Sequence, residues 1–154
     1  MGMRVIASGR AADGRNVVDG VDVEFVPVDS LFQQSDVVSL HCPLTNETAE
    51  IVNTDRLELM KTTAFLINTS RGQLIDQPAL AQALQEDQIG AAALDVLETE
   101  PPTKDNPLLS APRCLITPHV AWYAQEARAR LLAMSAENLK AFLDGSPRNV
   151  VNKR

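Results

Sequence analysis

The stretch Met60-Lys61-Thr62-Thr63-Ala64-Phe65-Leu66-Ile67-Asn68-Thr69-Ser70-Arg71-Gly72-Gln73-Leu74-Ile75-Asp76 decides how the rest of the chain is read. Its middle, Ala64–Asn68, is an apolar run of strand length, the pattern of a strand inside a sheet. Thr69, Ser70, Arg71 and Gly72 follow at once, so small polar residues, a cation and a glycine stand where the strand ends. Asp76 opens a helical segment, Asp76–Asp87, with Leu80, Ala83 and Leu84 on one side and Gln82, Gln85 and Glu86 on the other. Pro78 falls in its first turn, where a missing N–H costs little. A buried strand, a polar loop and an amphipathic helix form the unit of an α/β fold. Such folds bind ligands at the carboxyl ends of their strands.

Outward from this unit the alternation recurs. Arg4–Ser8, Val23–Val26, Asp36–Leu40, Gly90–Asp95 and Cys114–Thr117 also read as strands. Most are continuous apolar runs such as Val37-Val38-Ser39-Leu40, which predicts cover on both faces. Thr54–Met60 and Val28–Gln34 predict short helices. Glu126–Leu143 predicts the longest, with Leu131, Met134, Leu139 and Phe142 roughly in phase and Gly145 and Pro147 to stop it. The expected class is α/β, a doubly wound parallel sheet of the Rossmann type, with residues 1–122 as its core and 123–154 as a long helix and tail. After Arg4–Ser8, Gly9, Ala11 and Gly14 imitate the dinucleotide loop G-x-G-x-x-G. That loop works by bringing a helix N-terminus to the pyrophosphate, and Arg15-Asn16-Val17-Val18-Asp19-Gly20 leaves no room for a helix before Val23. Arg4–Ser8 therefore reads as the second strand of the fold, with the first strand, glycine loop and first helix absent. A missing central strand leaves two edges unpaired, which predicts marginal stability or association.

Composition narrows the class further. Among 154 residues, 45% are hydrophobic and 22% charged, close to the globular average. A net charge of -6 gives no basic footprint for nucleic acid. No apolar run approaches the roughly 18 residues of a membrane span, and the N-terminal apolar stretch is too short for a signal peptide. Cys42 and Cys114 each sit beside a strand-like run, which predicts buried free thiols and a reducing cytoplasm. Two cysteines and two histidines at unrelated spacings do not make a zinc site.

Three segments carry a resemblance. They are the stretch from Met60 to Asp76, then Ala92-Ala93-Leu94-Asp95-Val96-Leu97-Glu98-Thr99-Glu100-Pro101, and Leu115-Ile116-Thr117-Pro118-His119-Val120-Ala121-Trp122. In this order they resemble signature elements of the D-isomer-specific 2-hydroxyacid dehydrogenases, over a span from about Gly2 to Asn152. The resemblance implies that Arg71 holds the substrate carboxylate and polarises the reacting carbonyl. A guanidinium suits that task, because it grips a carboxylate bidentately and keeps its proton. It further implies that Glu100, rather than Glu98, is the catalytic Glu and His119 the acid–base residue that gives a proton to the developing alkoxide. Glu100 is expected to hold the other ring nitrogen and favour the imidazolium. Asp95 matches a residue that holds the nicotinamide carboxamide. Cys42 and Pro43, in the segment Leu40-His41-Cys42-Pro43-Leu44-Thr45, match a cofactor-contacting loop, with Thr69 and Ser70 beside it. His41 is read as structural or cofactor-adjacent. All of this presumes that Arg71, Glu100 and His119 converge on one cleft.

Within the family, Asp95-Val96-Leu97, Glu100-Pro101-Pro102, Asp105-Asn106-Pro107-Leu108-Leu109 and His119-Val120-Ala121-Trp122 look most like the glycerate dehydrogenase, or hydroxypyruvate reductase, branch. Trp122 would then wall the substrate pocket; it reads equally well as a core or interface aromatic. The implied substrate is a small 2-keto acid such as hydroxypyruvate or glyoxylate, and the implied assembly a homo-oligomer. NAD-preferring members place an acid at the end of the second strand, where this chain has Gly9 followed by Arg10. That favours NADP over NAD as cofactor. The chain alone is expected to turn over little. A catalytically silent remnant or interaction module of the same fold is the alternative reading. Formate dehydrogenases share the architecture but carry Gln where Glu100 stands.

Overall fold

The computed structural model describes residues 2–9, the backbone of 14–18, and 20–152. The chain divides into two compact units, Met1–Pro118 and His119–Arg154.

In the first unit, β1 (Val5–Ala7), β2 (Gly14–Val18) and β3 (Val21–Phe25) form a three-stranded sheet in the order β1-β3-β2. β1 runs parallel to β3, whereas β2 runs antiparallel to it. β2 falls where the sequence reading saw only a stretch too short for a helix. Val18 pairs with Val21 across a two-residue connection. Gly20, within that connection, has φ +81°, which glycine adopts without strain.

The chain then alternates as expected. α1 (Val28–Gln34), β4 (Val37–Leu40), α2 (Thr54–Leu59), β5 (Phe65–Asn68), α3 (Gln77–Gln85), β6 (Ala91–Leu94) and β7 (Cys114–Ile116) follow in turn. The four strands form one parallel sheet in the order β4-β5-β6-β7. β1 and β4 are each an edge strand of their own sheet.

Burial alternates along the strands. Val38, Leu40, Leu66, Asn68, Ala92 and Leu94 are buried, and the apolar ones join Leu57, Leu80, Ala81, Leu84 and Leu108 in one core. The opposite parity stays open, with Val37 and Phe65 each 51% exposed and Leu115 64% exposed. The continuous apolar runs predicted cover on both faces, but within this unit the helices line one. α3 begins at Asp76, whose side chain accepts from the Ala79 N–H, and carries Pro at its start. Its far end is held by Arg113, which donates to Leu84 O and Gly90 O and pairs with Asp87 at 2.8 Å.

Both cysteines are free thiols, half-buried rather than fully buried. Burial pushes the Cys114 thiol above its usual range. The folded protein therefore holds that proton through a pH window in which an unfolded cysteine loses it, and any stability this confers fades as pH rises through the folded value. Alkylation of Cys114 by iodoacetamide near pH 8 is expected to run roughly tenfold slower in native than in urea-unfolded protein. Equal rates, read by peptide mass spectrometry, would contradict this.

In the second unit, α4 (Gln125–Leu143) matches the predicted helix closely, but none of its residues is buried. Leu131, Met134, Leu139 and Phe142 are all more than half exposed. No helix among the described residues is long and apolar enough to cross a membrane.

Candidate active site

Parallel strands align their carboxyl ends, and the register sets those of β4, β5 and β6 side by side: Leu40 pairs with Asn68, and Asn68 with Leu94. The loops leaving these ends carry most of the residues singled out in the sequence. A depression of about 460 Å3 lies there, lined by His41, Cys42, Pro43, Leu44, Ser70 and Arg71. That volume suits a small ligand or part of a larger one.

Arg71 is exposed at the mouth of the depression, and its Nη1 donates to Ser70 O at 2.7 Å. Among the described residues it pairs with no carboxylate, so its charge faces outward. An unpaired guanidinium at a strand end is equipped to take an anion. Its loop is tied down on every side. The Ser70 hydroxyl donates to Leu40 O at 3.1 Å, and the Asp95 N–H to Asn68 O at 2.9 Å. Gly72 lies against the backbone of Leu97 and Glu98, and Gln73 Nε2 donates to Glu98 O at 3.1 Å. The arginine loop and the loop carrying Glu100 are therefore in direct contact.

Glu100 is exposed, and its Oε1 accepts the Leu97 N–H at 2.9 Å, which turns the carboxylate back over its own loop. Asp95 is 5% exposed at the end of β6 and accepts from the Thr117 hydroxyl at 2.5 Å. Thr117 N–H in turn donates to Leu94 O, so the end of β7 braces the end of β6. His41, just past the end of β4, has its Nε2 2.9 Å from Ser39 Oγ.

The structure thus brings together Cys42, Pro43, Ser70 and Arg71 in one depression, with Glu100 on a loop packed against the arginine loop. Thr69 is exposed and does not line the depression. Gly9 follows β1 in the other sheet, exposed, with open space where a Cβ would stand. Arg10 lies outside the described residues. Leu44, Asn68, Gln73 and Thr117 were not singled out in the sequence. Asn68 carried a usable signal, being a polar residue at the buried parity of β5, in step with Leu66.

His119 and Trp122 open the second unit. His119 takes φ +54°, a left-handed backbone uncommon for a residue with a side chain. Trp122 Nε1 donates to His119 O at 2.8 Å, and the Trp122 ring meets Tyr123 edge-on at 5.2 Å. The Arg128 guanidinium lies 4.6 Å from the centre of the Tyr123 ring. Trp122 thus clasps the turn that carries His119.

An α/β unit with a cation and carboxylates at adjoining parallel strand ends has its charged groups where open α/β sheets bind their ligands. The family model for the D-isomer specific 2-hydroxyacid dehydrogenase NAD binding domain matches residues 1–121, and the chain belongs to that family. It is 45% identical over 153 residues to a hydroxypyruvate reductase of Blautia hydrogenotrophica, covering 99% of this chain and 47% of that protein. A glycerate dehydrogenase of Methylorubrum extorquens is 44% identical over 128 residues, covering 82% of this chain and 41% of its own length. Among solved structures, an acyclic imino acid reductase in complex with NADPH and D-Arg superposes with TM-score 0.86 at 37% identity. That match covers 97% of this chain and 46% of the other. A D-lactate dehydrogenase of Aquifex aeolicus complexed with NAD and lactic acid gives TM-score 0.82 at 32% identity, covering 94% and 47%. The chain spans about half the length of the relatives it matches.

Proposed function

We propose that the protein carrying this chain is an NAD(P)-dependent oxidoreductase that reduces a small 2-keto acid, hydroxypyruvate to D-glycerate or glyoxylate to glycolate. The observation that carries this is Arg71, an outward-facing guanidinium beside the depression at the carboxyl ends of β4 and β5. Similarity to a hydroxypyruvate reductase and a glycerate dehydrogenase supports the choice of substrate.

Each residue then has a task. Arg71 binds the carboxylate and steadies the carbonyl oxygen as negative charge develops. His119 delivers a proton to that oxygen, and Glu100 keeps the imidazole charged and oriented. Cys42, Pro43 and Ser70 line the cofactor's side of the depression, and Thr69 flanks it. Asp95, braced by Thr117, would accept from the nicotinamide carboxamide. The bound dinucleotide supplies the hydride to C2 of the keto acid. Trp122 walls the acid. Residues 1–122 form part of the cofactor domain, and 123–154 a separate helix and tail.

NADPH is the proposed donor. Gly9 offers no carboxylate to a ribose 2′-hydroxyl, and Arg10 follows it. Open space at Gly9 makes the converse testable. Gly9→Asp would set a carboxylate against a 2′-phosphate and is expected to lower the NADPH/NADH ratio of kcat/KM by about tenfold. The assay follows NAD(P)H oxidation by hydroxypyruvate and glyoxylate in the full-length protein. No turnover with either acid would overturn the activity, and a strong NADH preference would overturn the cofactor choice alone. A polypeptide of these 154 residues is expected to turn over little, since its sequence holds no G-x-G-x-x-G loop opening a helix. A homo-oligomer in the reducing cytoplasm completes the proposal, the compartment supported by the two free thiols.

A further inference from the structure

Asn68 is fully buried at the end of β5, and both ends of its carboxamide are used. Its Oδ1 accepts the Ser70 N–H at 2.9 Å, and its Nδ2 donates to Arg71 O at 2.8 Å. One side chain thus closes the turn from 68 to 71 upon itself. Its own carbonyl takes the Asp95 N–H, while Ser70 reaches back to Leu40 O. The turn is pinned to the neighbouring strands on both sides, and the last residue it fixes is the one whose guanidinium reaches the depression. Loss of the carboxamide would leave a half-buried Ser70 N–H without this acceptor and leave Arg71 O with the Leu74 N–H alone, at 3.2 Å.

We propose that Asn68 is the positioning residue for Arg71, setting the backbone course from which the guanidinium meets the substrate carboxylate. This rests on the reading of Arg71 as the carboxylate clamp. Asn68 touches no substrate itself. A buried side chain that held only the core would affect activity and stability alike, whatever stood at 71. One that acts through Arg71 has nothing to add once Arg71 is gone.

The test is a double-mutant cycle in the full-length protein, with Asn68→Ala, Arg71→Ala and the pair assayed with hydroxypyruvate and NADPH. Asn68→Ala alone is expected to raise the KM for hydroxypyruvate about tenfold, with NADPH affinity within about twofold of wild type. In the Arg71→Ala background the same change is expected to move kcat/KM by less than about twofold. Equal losses in both backgrounds overturn the proposal. A second readout needs no turnover. Hydrogen exchange at the Ser70 amide should quicken by about tenfold or more in Asn68→Ala while Leu66 and Ile67 keep their protection. Unchanged exchange at Ser70, or acceleration along all of β5, also overturns it. Asn68→Ser, which stays polar but cannot span both groups, serves the same comparisons if the alanine variant folds poorly. If the wild-type protein reduces neither acid, the proposed activity falls, and the exchange measurement still decides the role of Asn68.

Discussion

Arg71→Lys in the full-length protein is expected to lower kcat/KM for the proposed substrate hydroxypyruvate by about 10^2- to 10^3-fold, although the positive charge is kept. The reason is geometry. A guanidinium presents a planar fork of N–H donors that can hold a carboxylate and still reach the adjacent carbonyl oxygen, whereas an ammonium is a point charge on a flexible stem. Arg71 also spends one donor on its own loop, through Nη1 to Ser70 O, and still has others to turn toward the depression. A lysine held by Ser70 O would keep two donors, but both on one nitrogen and without the planar fork. The loss should appear in both kcat and KM, because the carboxylate is bound before the reaction and the oxyanion only during it. Thermal stability should move little, since Arg71 is exposed and joins no ion pair among the described residues. A lysine variant with kcat/KM within threefold of wild type would remove Arg71 from the site.

Much of this framework was legible because the relevant signals are local. The apolar run ending in Asn68, the proline in the first turn of α3 and the long helix before Gly145 each fix an element by chain physics within a few residues. β2 was missed for the opposite reason. Gly9, Ala11 and Gly14 drew the reading toward a phosphate loop, and its rejection left Arg15–Val18 without an assignment. Yet Asp19-Gly20 between Val18 and Val21 is a strong short-range hairpin signal, and the register confirms a two-residue connection. The one-sided cover of the sheet within the first unit was illegible on principle. A run such as Val37-Val38-Ser39-Leu40 states that a strand can be buried on two faces, not that the chain holds something to bury it. The helical phase of Leu131, Met134 and Leu139 fails in the same way: it marks a face and is silent about its partner. For the site, motif order supplied the residues, but which of them share a surface depends on strand register. Register is a long-range property, and the turn that follows β5, in which the Ser70 hydroxyl reaches Leu40 O, is what sets Ser70 in the depression with Thr69 beside it.

Gly72→Ala tests that long-range packing at its tightest point. Gly72 is buried, and its φ is one any residue could adopt, so the constraint is space rather than backbone conformation. A Cβ there would overlap the Leu97 carbonyl group and the Glu98 nitrogen. These are backbone atoms between the buried end of β6 and the Glu100 loop, and no rotamer change can move them aside. Either the arginine loop or the glutamate loop must retreat. Retreat of the first would strain the Asn68 contacts with Ser70 and Arg71; retreat of the second would break the Gln73 bond to Glu98 O and shift the Leu97 N–H that Glu100 uses. Overpacking of this kind costs about 3 kcal/mol, which for a domain of this size lowers Tm on the order of 10 °C. Activity should fall further than stability alone explains, because either retreat parts the proposed carboxylate clamp, Arg71, from Glu100, the proposed partner of the imidazole. At a temperature where the variant is fully folded, kcat/KM for hydroxypyruvate is expected to remain at least about tenfold below wild type. Gln73→Ala is the control. It removes one hydrogen bond between the same loops without adding volume, so it should cost about 1 kcal/mol and leave Tm within a few degrees. If Gly72→Ala kept wild-type Tm and turnover, the two loops could not be packed as they are here, and the coupling of Arg71 to Glu100 would have to be given up.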